Sequence, residues 1–428
     1  MPSMAKTFRE WNPEQSVMFP PTVLDLVEAD DLVHFIRNLV VEQLDLSEIM
    51  SQYQEERGYP PMHPQMMTAL LLYSYCQGIY SSRRIARACR QRVDYMALTG
   101  MQNPDFRTVN LFRQRHLKAL GGLFKQVLVL CEKAGLVKLG HVALDGTRMR
   151  ANASKHKSMS YEGMKKKEED LATEIQGWFD QAEQIDRQED ERYGADRRGD
   201  ELPDWVADKQ KRLEKIREAK AALEAEAQAE ATAEPDPRKT GHKAKPTGKP
   251  EEKTQRNFTD PESRIMKSPD GFIQGYNGQA AVDADSHVIV AQSLTNNGSD
   301  THQMEPLLDQ IRRNLNRQAK EVSADSAYCA EWNLKRLQQR HIRGYVAVDG
   351  QKKKALSRWI QQMKERLEKA GHRSRYRLRK QTVEPVFGNI KFARGFRQFL
   401  LRGIEKVTGE WSLLCTAHNL IKLAAANG

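Results

Sequence analysis

Three acids, far apart along the chain, have the residue types and settings to do chemistry. Asp145 closes the short apolar run His-Val-Ala-Leu-Asp and is followed by Gly146 and Thr147. Asp325 closes Val-Ser-Ala-Asp 180 residues later, and Glu384 stands 59 residues beyond it. Short apolar runs read as buried strands, and adjacent strands of an α/β sheet deliver the residues at their ends to one crevice. Two carboxylates a few ångströms apart repel each other, so such a pair implies a raised pKa or a hard divalent cation. Asp-Asp-Glu around a metal pair suits phosphoryl transfer, one ion activating the attacking oxygen and the other stabilising the leaving one. On residue type alone Asp283, Asp285, Asp300 and Asp349 compete, Asp283 most strongly because it too could end a strand. No GxSxG elbow, P-loop or HExxH helix offers a rival chemistry.

The setting of Glu384 narrows the substrate. The chain carries 68 Lys and Arg against 57 Asp and Glu, a net charge of +11. Residues 343–406 alone hold 18 bases and five acids, so this tract exceeds the surplus of the whole chain. Such a tract is the footprint of a polyanion-binding surface, with a merely solvated helix face as the competing reading. Phe387, Phe392, Phe396 and Phe399 interleave with Lys391, Arg394, Arg397 and Arg402, offering stacking faces beside phosphate partners unless the rings are core. Seven residues, almost two helical turns, separate Glu384 from Lys391, so they share a face if Pro385 is the first residue of a helix. No apolar run reaches the roughly 18 residues of a membrane span. Five scattered cysteines without a CxxC pair, and no secretory signal pattern, point to a cytoplasmic protein.

The positioning elements fall into regions. Residues 1–136 read as a helical domain. Pro64 opens one helix, Ser81 or Ser82 caps a second carrying Arg83, Arg84 and Arg87, and Asp105 caps a third from Phe106 through Leu130 with Arg107 near its start. Short turns with arginines on one face suit a helix-turn-helix-like DNA reader, or a bundle that only packs. Residues 137–428 read as an α/β domain: a strand ending on Asp145, a hairpin over 271–294, then helix, strand, helix, strand, helix. Residues 155–257 interrupt it with charged and Ala/Glu-rich stretches and a Pro/Gly/Lys segment, a composition that predicts a helical hairpin and a flexible linker without a core of their own.

Taken in order, these motifs resemble the DDE transposases of bacterial insertion sequences. His-Val-Ala-Leu-Asp145-Gly-Thr is similar to the family's first catalytic strand, and Gly-Tyr-Asn-Gly-Gln-Ala-Ala-Val-Asp at 275–283 to the hairpin after it. Ser-Ala-Asp325-Ser-Ala-Tyr resembles the second acid, and Thr-Val-Glu384-Pro-Val-Phe-Gly-Asn-Ile-Lys391 the third with its trailing lysine. Residues 60–116, with Ser-Ser-Arg-Arg-Ile and Pro-Asp-Phe-Arg-Thr, resemble the helical domain these enzymes carry. The resemblance implies an RNase H-like mixed sheet flanked by helices, with Asp145, Asp325 and Glu384 holding two Mg²⁺ (or Mn²⁺). It also implies that Lys391 contacts transferred-end DNA, with Tyr376 and Arg379, one residue out of the commonest spacing, as partners. The expected partners are double-stranded DNA, as terminal inverted repeats and as target, and a second subunit. A relic that only binds DNA, or a nuclease that never joins strands, stays open on the sequence.

Overall fold

The computed structural model describes residues 22–53, 60–193, 204–232, 248–269, 271–348, 357–370 and 375–427. Its packing separates into two units, one ending at Arg115 and the other running from His116 to Asn427.

The first unit is built of α1 (Leu32–Glu42), α2 (Ser47–Met50), α3 (Pro64–Cys76), α4 (Ser82–Gln91), α5 (Val93–Thr99) and α6 (Phe106–Arg115). Asp31 caps α1 by accepting the Val33 N–H (2.8 Å). Pro64 opens α3 where its missing N–H leaves no bond unmade. On α4, Ile85, Ala88 and Cys89 are buried, while Arg83, Arg84, Arg87 and Arg90 stay exposed. Arg83 and Arg107 both lie against the Phe106 ring, 5.2 and 5.6 Å from its centroid, which ties α4 to α6.

The helix expected from Phe106 through Leu130 is two helices. His116 leaves helical geometry (φ −104°, ψ 16°), and α7 (Leu117–Lys133) starts after it. Val109 and Phe112 of α6 are buried in the first unit, whereas Leu120, Phe124 and Leu128 of α7 are buried in the second. The helical unit therefore ends at Arg115, short of the expected 136. Within the second unit α7 lies along α14 (Ile404–Asn427), where the Ser412 hydroxyl donates to the Gly121 carbonyl (2.9 Å).

The larger sheet of the second unit is organised around β1 (His141–Arg150). The insertion follows β1: β2 (Ser158–Ser160), α8 (Tyr161–Tyr193), α9 (Asp204–Thr232) and β3 (Gln255–Asn257), with β2 and β3 paired as a ribbon at its base. Contrary to the coreless reading, the helical hairpin buries Met164, Leu171, Ile216 and Leu223 between its helices. Lys209–Glu174 (2.6 Å) and Lys220–Glu168 (2.6 Å) pair across it. Most of the expected linker lies outside the described residues.

The chain then returns to the sheet as β4 (Arg264–Ser268), β5 (Gly271–Asp283) and β6 (Ile289–Thr295), followed by α10 (Met304–Leu315), β7 (Glu321–Ala324), α11 (Glu331–Gln339), β8 (Arg343–Val346), α12 (Arg358–Ala370) and α13 (Leu378–Gly388). β5 borders β1 on one side and both β4 and β6 on the other, all antiparallel; β7 and β8 continue the sheet beyond β1 in parallel. This is the mixed sheet flanked by helices of an RNase H-like fold. Where both faces of the sheet are covered its strands carry apolar runs: Ala280 to Val282 of β5 and Val288 to Ala291, leading into β6, are fully buried. All five cysteines are free and buried. Among the described residues no helix is long and apolar enough to cross a membrane.

Candidate active site

Strand register brings the first two acids together. β1 pairs in parallel with β7 only from His141↔Glu321 to Ala143↔Ser323, and β7 ends at Ala324. Carried two residues further, that register sets Asp145 beside Asp325. Asp145 is not the end of its strand, as expected, but its middle. Antiparallel pairing with β5 continues from Asp145↔Ala280 to Arg150↔Gly275 and holds β1 extended after β7 has diverged. Beyond β7, Asp325 caps the turn Ser326–Tyr328 by accepting the Ala327 N–H (3.0 Å).

The third acid arrives on α13 with a cation. Arg379 donates through Nη1 to Asp145 Oδ2 (2.6 Å), and its Nη2 stands 4.0 Å from Glu384 Oε1. Its guanidinium lies 6.0 Å from the Tyr376 ring centroid. Arg379 is buried, whereas the Glu384 side chain is 54% exposed. Burial pushes the Asp145 carboxyl up to about 6; Asp325 and Asp300 add to the rise and Arg379 only partly opposes it. Burial likewise raises Asp325, helped by Asp300 and opposed by Arg379. These oxygen donors suit a hard divalent cation. As the side chains stand, no three acidic, histidine or cysteine groups among the described residues converge closely enough to hold a metal, and Arg379 supplies the balancing charge.

The raised carboxyl carries a pH prediction for the metal-free protein. The Asp145 pKa of about 6 lies above its ordinary 3.8, so between those values the folded chain holds a proton that the unfolded chain has lost. This contribution is complete below the unfolded value and is lost as pH rises through about 6. Urea unfolding should show stability falling over that window by no more than about 3 kcal/mol. In Asp145→Asn the fall should flatten; an unchanged slope would remove the shift.

Residue 146 belongs to the other face of the sheet, since successive side chains alternate. A Cβ on Gly146 would stand 2.5 Å from Asp300 Oδ1 and 2.9 Å from Asn277 Oδ1, and would clash with Gln279. Only glycine fits there, because Asn277 and Gln279 each donate to Asp300 Oδ1 (2.6 Å) directly over the strand. Arg148 pairs with Asp300 Oδ2 (3.0 Å), and the buried Tyr328 hydroxyl donates to Gln279. Asp300, one of the rival acids, thus anchors a polar network beneath Asp145. Asp283 is instead a turn holder, accepting from the N–H groups of Leu139 (2.7 Å), Lys138 (3.0 Å) and Asp285 (3.0 Å). Asp285 is an exposed turn residue, and Asp349 lies outside the described residues.

Residues 204–420 match the family model described as the transposase DDE domain, and residues 21–115 match a further transposase domain, DUF772. The chain belongs to the DDE transposases. Comparison with curated proteins and with solved structures finds no match. The DDE match holds Asp325, Glu384 and Lys391 and begins after β1, while the DUF772 match ends where the first structural unit ends.

In this transposase α13 runs through Pro385 rather than starting there, which corrects the expected helix start. Burial of Val383, Val386 and Phe387, the last 6.4 Å from Trp411, holds the helix across the missing N–H. Asn389–Ala393 then forms a π-helical turn, from which Lys391 donates to the Arg148 carbonyl of β1 (3.0 Å). In the first unit Arg83, Arg84 and Arg87 are exposed on α4, and Arg107 of α6 meets Arg83 at the Phe106 ring. Sequence reasoning passed over Gly146, Arg148, Asn277, Gln279 and Tyr328. The available signal was two amide side chains at alternate positions, 277 and 279, just before the apolar stretch Ala280 to Val282.

Proposed function

We propose that this transposase binds double-stranded DNA at the terminal inverted repeats of its insertion sequence, cleaves at those ends and joins the freed 3′-hydroxyls to target DNA. What carries the reading is the convergence of Asp145 and Asp325 from neighbouring strands, with Glu384 beyond the guanidinium of Arg379. Asp145, Asp325 and Glu384 would hold two Mg²⁺, or Mn²⁺ in substitution; bound there, the ions lower the pKa of the attacking water and offset charge at the scissile phosphate. Lys391, fixed against β1, would meet the transferred strand, and Tyr376 and Arg379 would line its path. Arg83, Arg84, Arg87 and Arg107 would meet the phosphates of the repeat. Joining two ends calls for a homodimer on DNA, and the compartment we assign is the bacterial cytoplasm, at the nucleoid when DNA is bound.

A strand-transfer assay tests the proposal: the purified chain, Mg²⁺ and DNA taken from either side of its coding region should yield ends joined to a plasmid. Cut ends that are never joined would reduce the protein to a nuclease. The reader has its own test. Arg87→Ala should weaken binding to those ends and reduce the slope of log affinity against log salt by about 0.9, one phosphate's share. An unchanged slope in a titration from low to high salt would take Arg87 off the DNA.

A further inference from the structure

Of the four phenylalanines around the Glu384 segment, the fold treats one differently. Phe387, Phe396 and Phe399 are buried, and Phe392 is 70% exposed. The exposed ring does not sit on a loose segment. It belongs to the π-helical turn Asn389–Ala393, a rare geometry frequent at functional sites, and the chain around it is pinned to the end of β1. Lys391 donates to the Arg148 carbonyl (3.0 Å), the Phe399 N–H to Arg150 (2.9 Å), Gln398 to Ala151 (3.0 Å) and Arg402 to Asn152 (3.0 Å). A strand rises about 3.3 Å per residue, so the carbonyl that holds Lys391 lies about 10 Å along β1 from Asp145. The guanidinium of Arg397 lies 5.2 Å from the Phe392 ring centroid.

An aromatic ring backed by a cation, rigidly mounted in a basic tract, has the make-up of a platform on which a nucleic-acid base stacks. We propose that Phe392, backed by Arg397, stacks on an unpaired base of the DNA strand whose phosphate lies at the acids. The inference deepens the DNA-end reading and rests on it. Lys391 beside the ring in the same turn and Arg397 over it complement a phosphate backbone and favour DNA over a second copy of this chain as the occupant.

The experiment uses the full chain and two probes from the DNA flanking its coding region. One is fully paired; the other ends in a short unpaired overhang carrying 2-aminopurine. The native chain should quench the overhang's fluorescence on binding. Phe392→Leu should lose the quench and bind the overhang probe about tenfold more weakly, with affinity for the paired probe unchanged, and Phe392→Trp should restore both. If the native chain binds neither probe, the DNA reading fails and takes this inference with it. If Phe392→Leu binds both probes and quenches like the native chain, stacking alone is overturned. A change in its sedimentation with the quench intact would assign the ring to a second copy and overturn stacking equally.

Discussion

Asp325→Ala is expected to cleave DNA ends at least about a thousandfold more slowly than the native chain while binding them with nearly unchanged affinity. The carboxylate caps the turn after β7, level with Asp145 when the β1–β7 register is carried on, so its loss removes a ligand from the proposed metal site. Metal stabilisation of developing charge amounts to several kcal/mol, and each 1.36 kcal/mol is tenfold in rate. Asp145→Ala and Glu384→Ala should behave alike, because the three act as one set. Binding should survive because the arginines of α4 and α6 lie in a separate unit. Gel-shift and cleavage assays on the same preparation separate the two effects. Cleavage by Asp325→Ala within tenfold of native would take Asp325 out of the site.

Gly146→Ala should be nearly as damaging although it removes no functional group. The added methyl would stand 2.5 Å from Asp300 Oδ1, so either β1 shifts or the network of Asp300, Asn277 and Gln279 opens. A shift of about an ångström next to a catalytic group can cost about 100-fold in rate, and overpacking a buried site costs about 1–3 kcal/mol of stability. Asp300→Asn probes the network without added bulk. If its carbonyl keeps the bonds from Asn277 and Gln279, its NH₂ must face Arg148, which keeps the Gly298 carbonyl, so a buried amide donor is left facing a cation. Both variants should lose cleavage and unfold at lower urea. Native cleavage by Gly146→Ala would show that the tight packing under Asp145 does not position it.

Parts of this were legible because the physics is local. An apolar run of four or five residues closing on a carboxylate marked β1 and β7, and the alternating and apolar runs on either side of Asp285-Ser286 marked β5 and β6 as a hairpin. The hairpin turn around Asp285-Ser286 was legible too, but the role of Asp283 depended on which backbone N–H groups reached its carboxylate, and residue type does not say. Asp145 lies in mid-strand because β5 outlasts β7 as its neighbour, a property of the sheet and not of the run itself. The continuous helix over His116 failed because its two ends are buried in different units. Pro385 was read by its intrinsic cost, and packing against the sheet overrode it. The phenylalanines after Glu384 share composition and spacing, and only the fold sorts three into the core and one onto the surface.

The central claim is that Asp145, Asp325 and Glu384 jointly hold divalent cations. Titrating the full chain with Mn²⁺ while following the free ion by electron paramagnetic resonance tests it most directly. Native protein should take up two ions, and each single Ala variant at these positions should lose uptake while remaining folded by circular dichroism. Uptake unchanged in all three folded variants would contradict the account.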